Sequence, residues 1–281
     1  MSSELRSLLV HVDGSTRCAA RLSLARSLAA EHGAHVDALM AVSPSFADLP
    51  FAYAAGPEAA AAMQAIDTDR HHRGRMSFEA ASRGPGPQMH WSDAGSAPPV
   101  AAFVEAALCH DLLVLGQRDA DDASSYGTPP DFVEAVVLGS GKPALVLPYA
   151  GSFEQVGREV LIAWKPGKES ARAVDGALPL LRAARQIHVL RAAEGDESPV
   201  TAQAQGALEA HLARHGIAAP VVQHGRTGPL SGEALLSLAS DVGADLLVMG
   251  CYGHSRAAEW VLGGVTRTVL KAMTVPTLLA H

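Results

Sequence analysis

One unit is written twice along this chain, and the repeat restricts the folds open to it. The segment Ser7-Leu8-Leu9-Val10-His11-Val12-Asp13-Gly14-Ser15 is followed by an alanine-rich helical stretch through Glu31. It returns about 152 residues later as Arg158-Glu159-Val160-Leu161-Ile162-Ala163-Trp164-Lys165-Pro166-Gly167, with a similar stretch through Ala184. His110-Asp111-Leu112-Leu113-Val114-Leu115-Gly116 returns 134 residues later as Ala244-Asp245-Leu246-Leu247-Val248-Met249-Gly250. Lys142-Pro143-Ala144-Leu145-Val146-Leu147 returns 133 residues later as Val275-Pro276-Thr277-Leu278-Leu279-Ala280. Three matches in one order mean two copies, 1–150 and 156–281, joined near Tyr149 to Val156.

Each copy alternates strand-like and helix-like segments. LLVHV, VDALMAV, MHWS, LLVLG and ALVLP predict five strands in the first copy; VLIAW, QIHVLRA, PVVQHG, LLVMG and PTLLA predict five in the second. They are short apolar runs with little alternation, which suits parallel strands covered on both faces. Helices are expected over Arg17–Glu31, Val100–Leu108, Ala202–Arg214 and Ser231–Asp241, and over the polar, alanine-rich Gly56–Arg83. Strand–helix alternation implies right-handed crossovers and a parallel sheet. The fold class is therefore α/β, two tandem doubly wound domains, each a five-stranded parallel sheet flanked by helices.

Composition excludes several classes of function. Apolar residues make up 48% and charged residues 18% of 281, enough for a core and too apolar for global disorder. A net charge of −7 argues against nucleic acid or an anionic membrane as partner. No apolar run reaches about 18 residues, and the N-terminus lacks a signal-peptide core, so a cytoplasmic protein is expected. Cys18, Cys109 and Cys251 are too few and too far apart for a disulfide framework or a zinc site. His71-His72, among Arg70, Arg73 and Arg75, reads as a solvated helix face, and Asp119–Pro130 as a polar loop.

The most informative stretch runs from Gly250 through Cys251, Tyr252, Gly253, His254, Ser255 and Arg256 to Gly263, Gly264, Val265 and Thr266. It begins at a strand end and finishes at a helix expected over Val265–Met273. Open α/β sheets bind ligands at the strand ends of a topological switch point. Gly263-Gly264 before a helix would offer backbone N–H groups at the positive end of its dipole, a phosphate site. Thr266 can add a hydroxyl, and His254, Ser255 and Arg256 can flank the anion.

The spacing Gly-x2-Gly-x9-Gly at Gly250, Gly253 and Gly263 resembles the nucleotide-binding motif of the universal stress protein family. The closing Met273-Thr274-Val275-Pro276 and the opening Val12-Asp13-Gly14-Ser15 resemble the same family, as a tandem pair over nearly the whole chain. The resemblance implies a Rossmann-like, adenine nucleotide alpha hydrolase-like fold and a stress-response role. It implies ATP or AMP in the C-terminal domain, with Mg only where ATP is bound. It places the nucleotide site on Ala163, Trp164, Lys165, Val189, Met249, Gly250, Gly253, His254, Ser255, Arg256, Gly263, Gly264, Val265 and Thr266. It implies a homodimer too, because the family pairs its domains through their last strands; a tandem chain can make one such pair within itself.

Both copies depart from the family pattern. In the second, Gly264 stands where Ser or Thr is usual, and Lys165 where Asp ends the first strand. A lysine cannot accept a hydrogen bond from a ribose hydroxyl, but it can face a phosphate. Trp164 can stack on a base or belong to the core. The first copy keeps Asp13-Gly14-Ser15 but loses the glycines: Asp119 falls opposite Gly253, and Pro130 opposite Gly263. Leu138-Gly139-Ser140-Gly141-Lys142 falls at the end of a helix, where glycine is a C-cap, and Pro143 excludes a P-loop. The first copy is therefore expected to lack a nucleotide site, with Asp13 capping the next helix.

No catalytic motif appears: there is no Gly-x-Ser-x-Gly elbow and no His-Glu-x-x-His. Three functions remain open. One is a nucleotide-binding regulator with an unknown protein partner, not a catalyst. The second is a nucleotide-independent scaffold for dimerisation and partner docking. The third is a binder of another small molecule.

Overall fold

The computed structural model describes residues 4–48, 56–84, 86–193, 199–227, 230–251 and 264–281. The chain forms two compact units, Leu5–Ser140 and Gly141–His281. All ten apolar runs are strands.

The first unit runs β1 (Ser7–Val12), α1 (Cys18–His32), β2 (His35–Met40), α2 (Ser45–Asp48), α3 (Pro57–Ser82), β3 (Met89–Asp93), α4 (Pro99–Ala107), β4 (Leu112–Gly116) and α5 (Phe132–Ser140). Its strands lie in the order β3-β2-β1-β4, all parallel. Helices α1 and α3 pack on each other, as do α4 and α5. The sheet's centre is apolar on both faces: Leu8, Leu9, Val10, Val12, Leu113 and Val114 are all buried. Each such side chain contributes roughly 1.5–3 kcal/mol by leaving water.

The second unit holds β5 (Ala144–Leu147), β6 (Glu159–Trp164), α6 (Lys168–Leu181), β7 (Gln186–Ala193), α7 (Pro199–Arg214), β8 (Val221–Thr227), α8 (Gly232–Asp241), β9 (Leu246–Gly250), α9 (Gly264–Ala272) and β10 (Thr277–Ala280). Its strand order is β5-β10-β9-β6-β7-β8. Every pair is parallel except β5 with β10, where Leu145 faces Leu278 in an antiparallel register. The expected pairing of last strands is therefore made within the chain.

The repeated Asp-Leu-Leu-Val motif has a structural cause. Asp111, just before β4, accepts hydrogen bonds at 2.9 Å from the amides of Arg6 and Ser7. Asp245, just before β9, accepts from the amides of Gly157, Arg158 and Glu159 at 2.8–3.2 Å. In each copy one carboxylate satisfies the leading N–H groups of the first strand and sets its register against the fourth. The Gly141 reading also holds: α5 ends at Ser140, and Gly141 follows at φ +62, a left-handed cap.

Helix α3 is closed differently. The guanidinium of Arg26, from α1, donates to the carbonyls of Ala81, Arg83, Gly84 and Pro87 at 2.6–3.2 Å. It takes up carbonyls that the helix end cannot satisfy itself. Arg26→Met should lower unfolding stability by about 1–3 kcal/mol, the range for losing charge-assisted hydrogen bonds. Urea unfolding monitored by circular dichroism measures this; an unchanged midpoint would assign those carbonyls to water. Among the described residues no helix is long and apolar enough to cross a membrane.

Candidate functional site: the crevices at the strand ends

Sheet topology alone puts one crevice in each unit. In the second unit, β6 leads by α6 to β7 on one side, while β9 leads by α9 to β10 on the other. The switch point lies between the C-terminal ends of β6 and β9. In the first unit it lies between β1 and β4.

Ala163 and Met249 are register partners there, and both side chains are buried. Val189, one strand further, is buried as well. These three candidates line the crevice floor from within the core, so only their backbone can meet a ligand. Trp164, the last residue of β6, is half-buried. Its indole Nε1 is fully buried and has no hydrogen-bond partner among the described residues. A buried donor left unpaired costs about 1–3 kcal/mol. Lys165 and Lys168, flanking the turn into α6, are exposed, with 68% of the Lys168 side chain open to solvent.

Gly250 has a packing role. A Cβ added there would lie 2.5 Å from the Ser170 amide nitrogen and 2.6 Å from the Glu169 carbonyl carbon. The first turn of α6 thus rests directly on the end of β9, and any side chain would push the helix outward. This glycine would be needed with or without a ligand. Gly264 opens α9 on the exposed side with open space around its Cα; Val265 is half-buried and Thr266 buried. Cys251 is buried, its thiol directed at the Ala280 carbonyl at 3.3 Å. Gly253, His254, Ser255, Arg256 and Gly263 lie outside the described residues.

The first crevice is filled by the chain itself. Arg21 reaches from α1 across the end of β1. Its Nη2 pairs with Asp13 Oδ1 at 2.5 Å and its Nε donates to the His11 carbonyl at 3.2 Å, with the whole side chain buried. A Cβ on Gly116, the counterpart of Gly250, would stand 2.3 Å from Arg21 Nη1. The guanidinium therefore fills the space over the end of β4. Asp13 does not cap α1: its carboxylate accepts from the Ser15 amide at 3.0 Å and the Ser15 hydroxyl at 2.6 Å, while Arg17, at the cap position, makes no side-chain cap. Burial pushes the Asp13 carboxyl up, but Arg21 and Ser15 outweigh it and hold it below its usual value. Burial also pushes the Cys18 thiol up to about 11, so it stays protonated and unreactive.

The polar loop after β4 is held by hydrogen bonds of its own side chains. Asp122 accepts from the Thr16 amide and hydroxyl, both at 3.2 Å, and caps a short 3₁₀ turn at Ala123–Ser125 through the Ser124 amide at 2.8 Å. Burial opposes these bonds but they prevail, and the Asp122 carboxyl also sits below its usual value. Sequence reading missed Arg21, yet a signal existed. Cys18, Arg21, Ala25 and Leu28 recur at helical spacing and are all buried, which puts a cation on the apolar stripe of α1.

Comparison with known proteins places this geometry. Residues 158–281 match the model of the universal stress protein family. Universal stress protein Slr1230 of Synechocystis sp. (strain ATCC 27184 / PCC 6803 / Kazusa) is 28% identical over 173 residues, covering 60% of this chain. The match takes in 57% of that relative's own length. Among solved structures, a universal stress protein from Archaeoglobus fulgidus DSM 4304 is similar with a TM-score of 0.69 at 16% identity, over 99% of this chain and 96% of that one. A putative universal stress protein from Pseudomonas aeruginosa UCBPP-PA14 is similar at 0.57 and 16%, over 98% and 93%. At such identities these two likenesses are of fold.

Proposed function

We propose that the chain, whose residues 158–281 match the universal stress protein family, is a stress-response regulator of that family whose second unit binds an adenine nucleotide, ATP or AMP, in the β6–β9 crevice. The observation that carries this reading is the contrast between the crevices. One is closed by a buried Arg21–Asp13 pair. The other offers two exposed lysines and the N-terminus of α9. Helix N-termini and lysines favour a phosphate chain, and the ring of Trp164 suits stacking on the flat face of a base. The glycine loop between Gly250 and Gly264 would wrap the phosphates, with Mg entering only alongside ATP. Binding there would change the surface around the loop, which a protein partner can read. In this reading the protein works in the cytoplasm.

Gly250 favours a second reading, the nucleotide-independent scaffold, because its packing against α6 accounts for that glycine without any ligand.

Nucleotide released by denaturing the purified protein, followed by calorimetric titration of ATP, ADP and AMP, tests the two. The expected result is about one nucleotide per chain, with affinity lost in Gly253→Trp and reduced at least tenfold in Lys165→Glu, the effect of placing a carboxylate beside a phosphate. Two nucleotides per chain would overturn the closed first crevice. No nucleotide and no heat of binding would favour the scaffold.

A further inference from the structure

The outer strands of the second unit carry a feature that the nucleotide reading does not use. His188 on β7 and His224 on β8 face each other, with Nδ1 of His188 and Nε2 of His224 2.9 Å apart and the rings inclined at 38°. The ladder places them: Leu190 is the register partner of His224, and His188 stands two residues earlier on the same face. Leu161 of β6 is opposite His188, so Glu159, two residues before it, shares that face as well. Both imidazoles are half-buried, and the neighbouring Val222 is exposed, which leaves the pair an approach from solvent.

We propose that His188 and His224 form a chelating site for a divalent transition metal ion of the copper or nickel type, separate from the β6–β9 crevice. Imidazole nitrogens bind such ions at about 2.0–2.1 Å. Two of them at a right angle are then about 2.9 Å apart, and at a tetrahedral angle about 3.4 Å. The observed separation is that of their hydrogen bond, and it already falls within the span that a right-angled copper(II) or nickel(II) site needs. Tetrahedral zinc would need the two nitrogens to part by about half an ångström more. The two imidazoles now share one hydrogen bond. For the ion to bind, that hydrogen bond breaks, both rings turn so that the two nitrogens face one point beside the line between them, and the donor ring moves its proton to its other nitrogen, so both rings stay neutral and no net proton is released. The site belongs to two adjacent strands of one ladder, so little backbone freedom is lost on binding. Among the described residues no group of three or more His, Cys, Asp or Glu is poised around an ion, so water fills the remaining positions. Glu159 adds a negative charge on the same face and a partner for one of those waters.

The competing arrangement is at the end of α7, where His211, in its last turn, and His215, in the turn that follows the helix, have ring centroids 4.6 Å apart and Asp175 is hydrogen-bonded to His211. The full chain, freed of metal and nucleotide, is titrated with copper(II), nickel(II) and zinc(II) chloride. The expected result is one copper(II) per chain, with zinc(II) weaker. Either His188→Gln or His224→Gln should weaken copper binding more than tenfold, at least the loss caused by removing a mere outer-shell partner. His211→Gln should leave it unchanged, and so should Gly253→Trp, which separates this site from the nucleotide site. A second readout needs no variant: copper(II) should broaden the amide resonances of residues 188–190 and 222–224. Binding that survives both glutamine variants, broadening centred on α7, or no bound ion would each overturn the proposal.

Discussion

Arg21→Ala is expected to cost roughly 3–5 kcal/mol of unfolding stability, the usual price of leaving one partner of a buried ion pair without the other. The guanidinium is buried, contacts Asp13 and donates to the His11 carbonyl. Removing it leaves the Asp13 carboxylate under α1 with only Ser15 as partner. Arg21→Lys should recover part of the loss, since an ammonium restores the charge but cannot donate to both acceptors from a planar fork. Removing both charges, as Arg21→Met with Asp13→Leu, should fall well short of the sum of the single changes, because apolar replacement of a whole buried pair is often nearly neutral. Gly116→Ala tests the same packing from the opposite wall, since its methyl would meet the guanidinium at 2.3 Å. Chemical denaturation of these variants, with Arg21→Met and Asp13→Leu also made singly, measures all of this. A loss below about 1 kcal/mol for Arg21→Ala would mean that water reaches Asp13 readily. The closed first crevice would then cease to support a single nucleotide site.

The fold was legible because repetition and apolar runs both report on a parallel sheet. Every strand run was bounded by a turn signal, and buried parallel strands need no alternation to be recognised. Helix limits moved by only a few residues, as with Arg17–Glu31 against Cys18–His32. What the repeat could not reveal was why Asp111 and Asp245 recur; the reason is a set of amides more than eighty residues away. Site residues were harder for the same reason. Gly250 reads as ligand-facing in the sequence, yet its neighbour in space is the backbone of Glu169 and Ser170. Asp13 reads as a helix cap, and its partner proved to be Arg21, eight residues on. One-dimensional spacing names a residue's own strand or helix. It does not name what crosses over that residue, which is where the two crevices differ.

Acid should unfold the first unit in two steps with separate causes. His11 sits in β1 with its ring 4.2 Å from Phe132 and 5.6 Å from Phe103, centroid to centroid, and its Nε2–H donates to the Ala41 carbonyl at 2.9 Å. Burial pushes its pKa from 6.5 down to about 4, against the pull of Asp13. Above pH 6.5 the imidazole is neutral in both folded and unfolded chains and adds no pH dependence. Between 6.5 and 4 the unfolded chain takes up a proton that the folded one refuses. Stability therefore falls as pH falls, by about 1.4 kcal/mol per pH unit and roughly 3 kcal/mol in all. Below 4 this loss is complete. Asp13 acts later and with its own sign: its folded pKa is lowered, so its contribution is present above 3.8 and disappears below it. In the second unit His188 is also held below its usual value, by burial and by His224, and contributes in the same direction. His11→Gln keeps an N–H for the Ala41 carbonyl but has nothing to titrate. Urea unfolding from pH 7.5 to 4 should therefore show a slope reduced by about 1 kcal/mol per pH unit in that variant, whatever its stability at neutral pH. An unchanged slope would mean that His11 is protonated in the folded chain with Asp13 as its counter-charge. The buried cluster under α1 would then be a triad of His11, Asp13 and Arg21 instead of an ion pair beside a neutral ring.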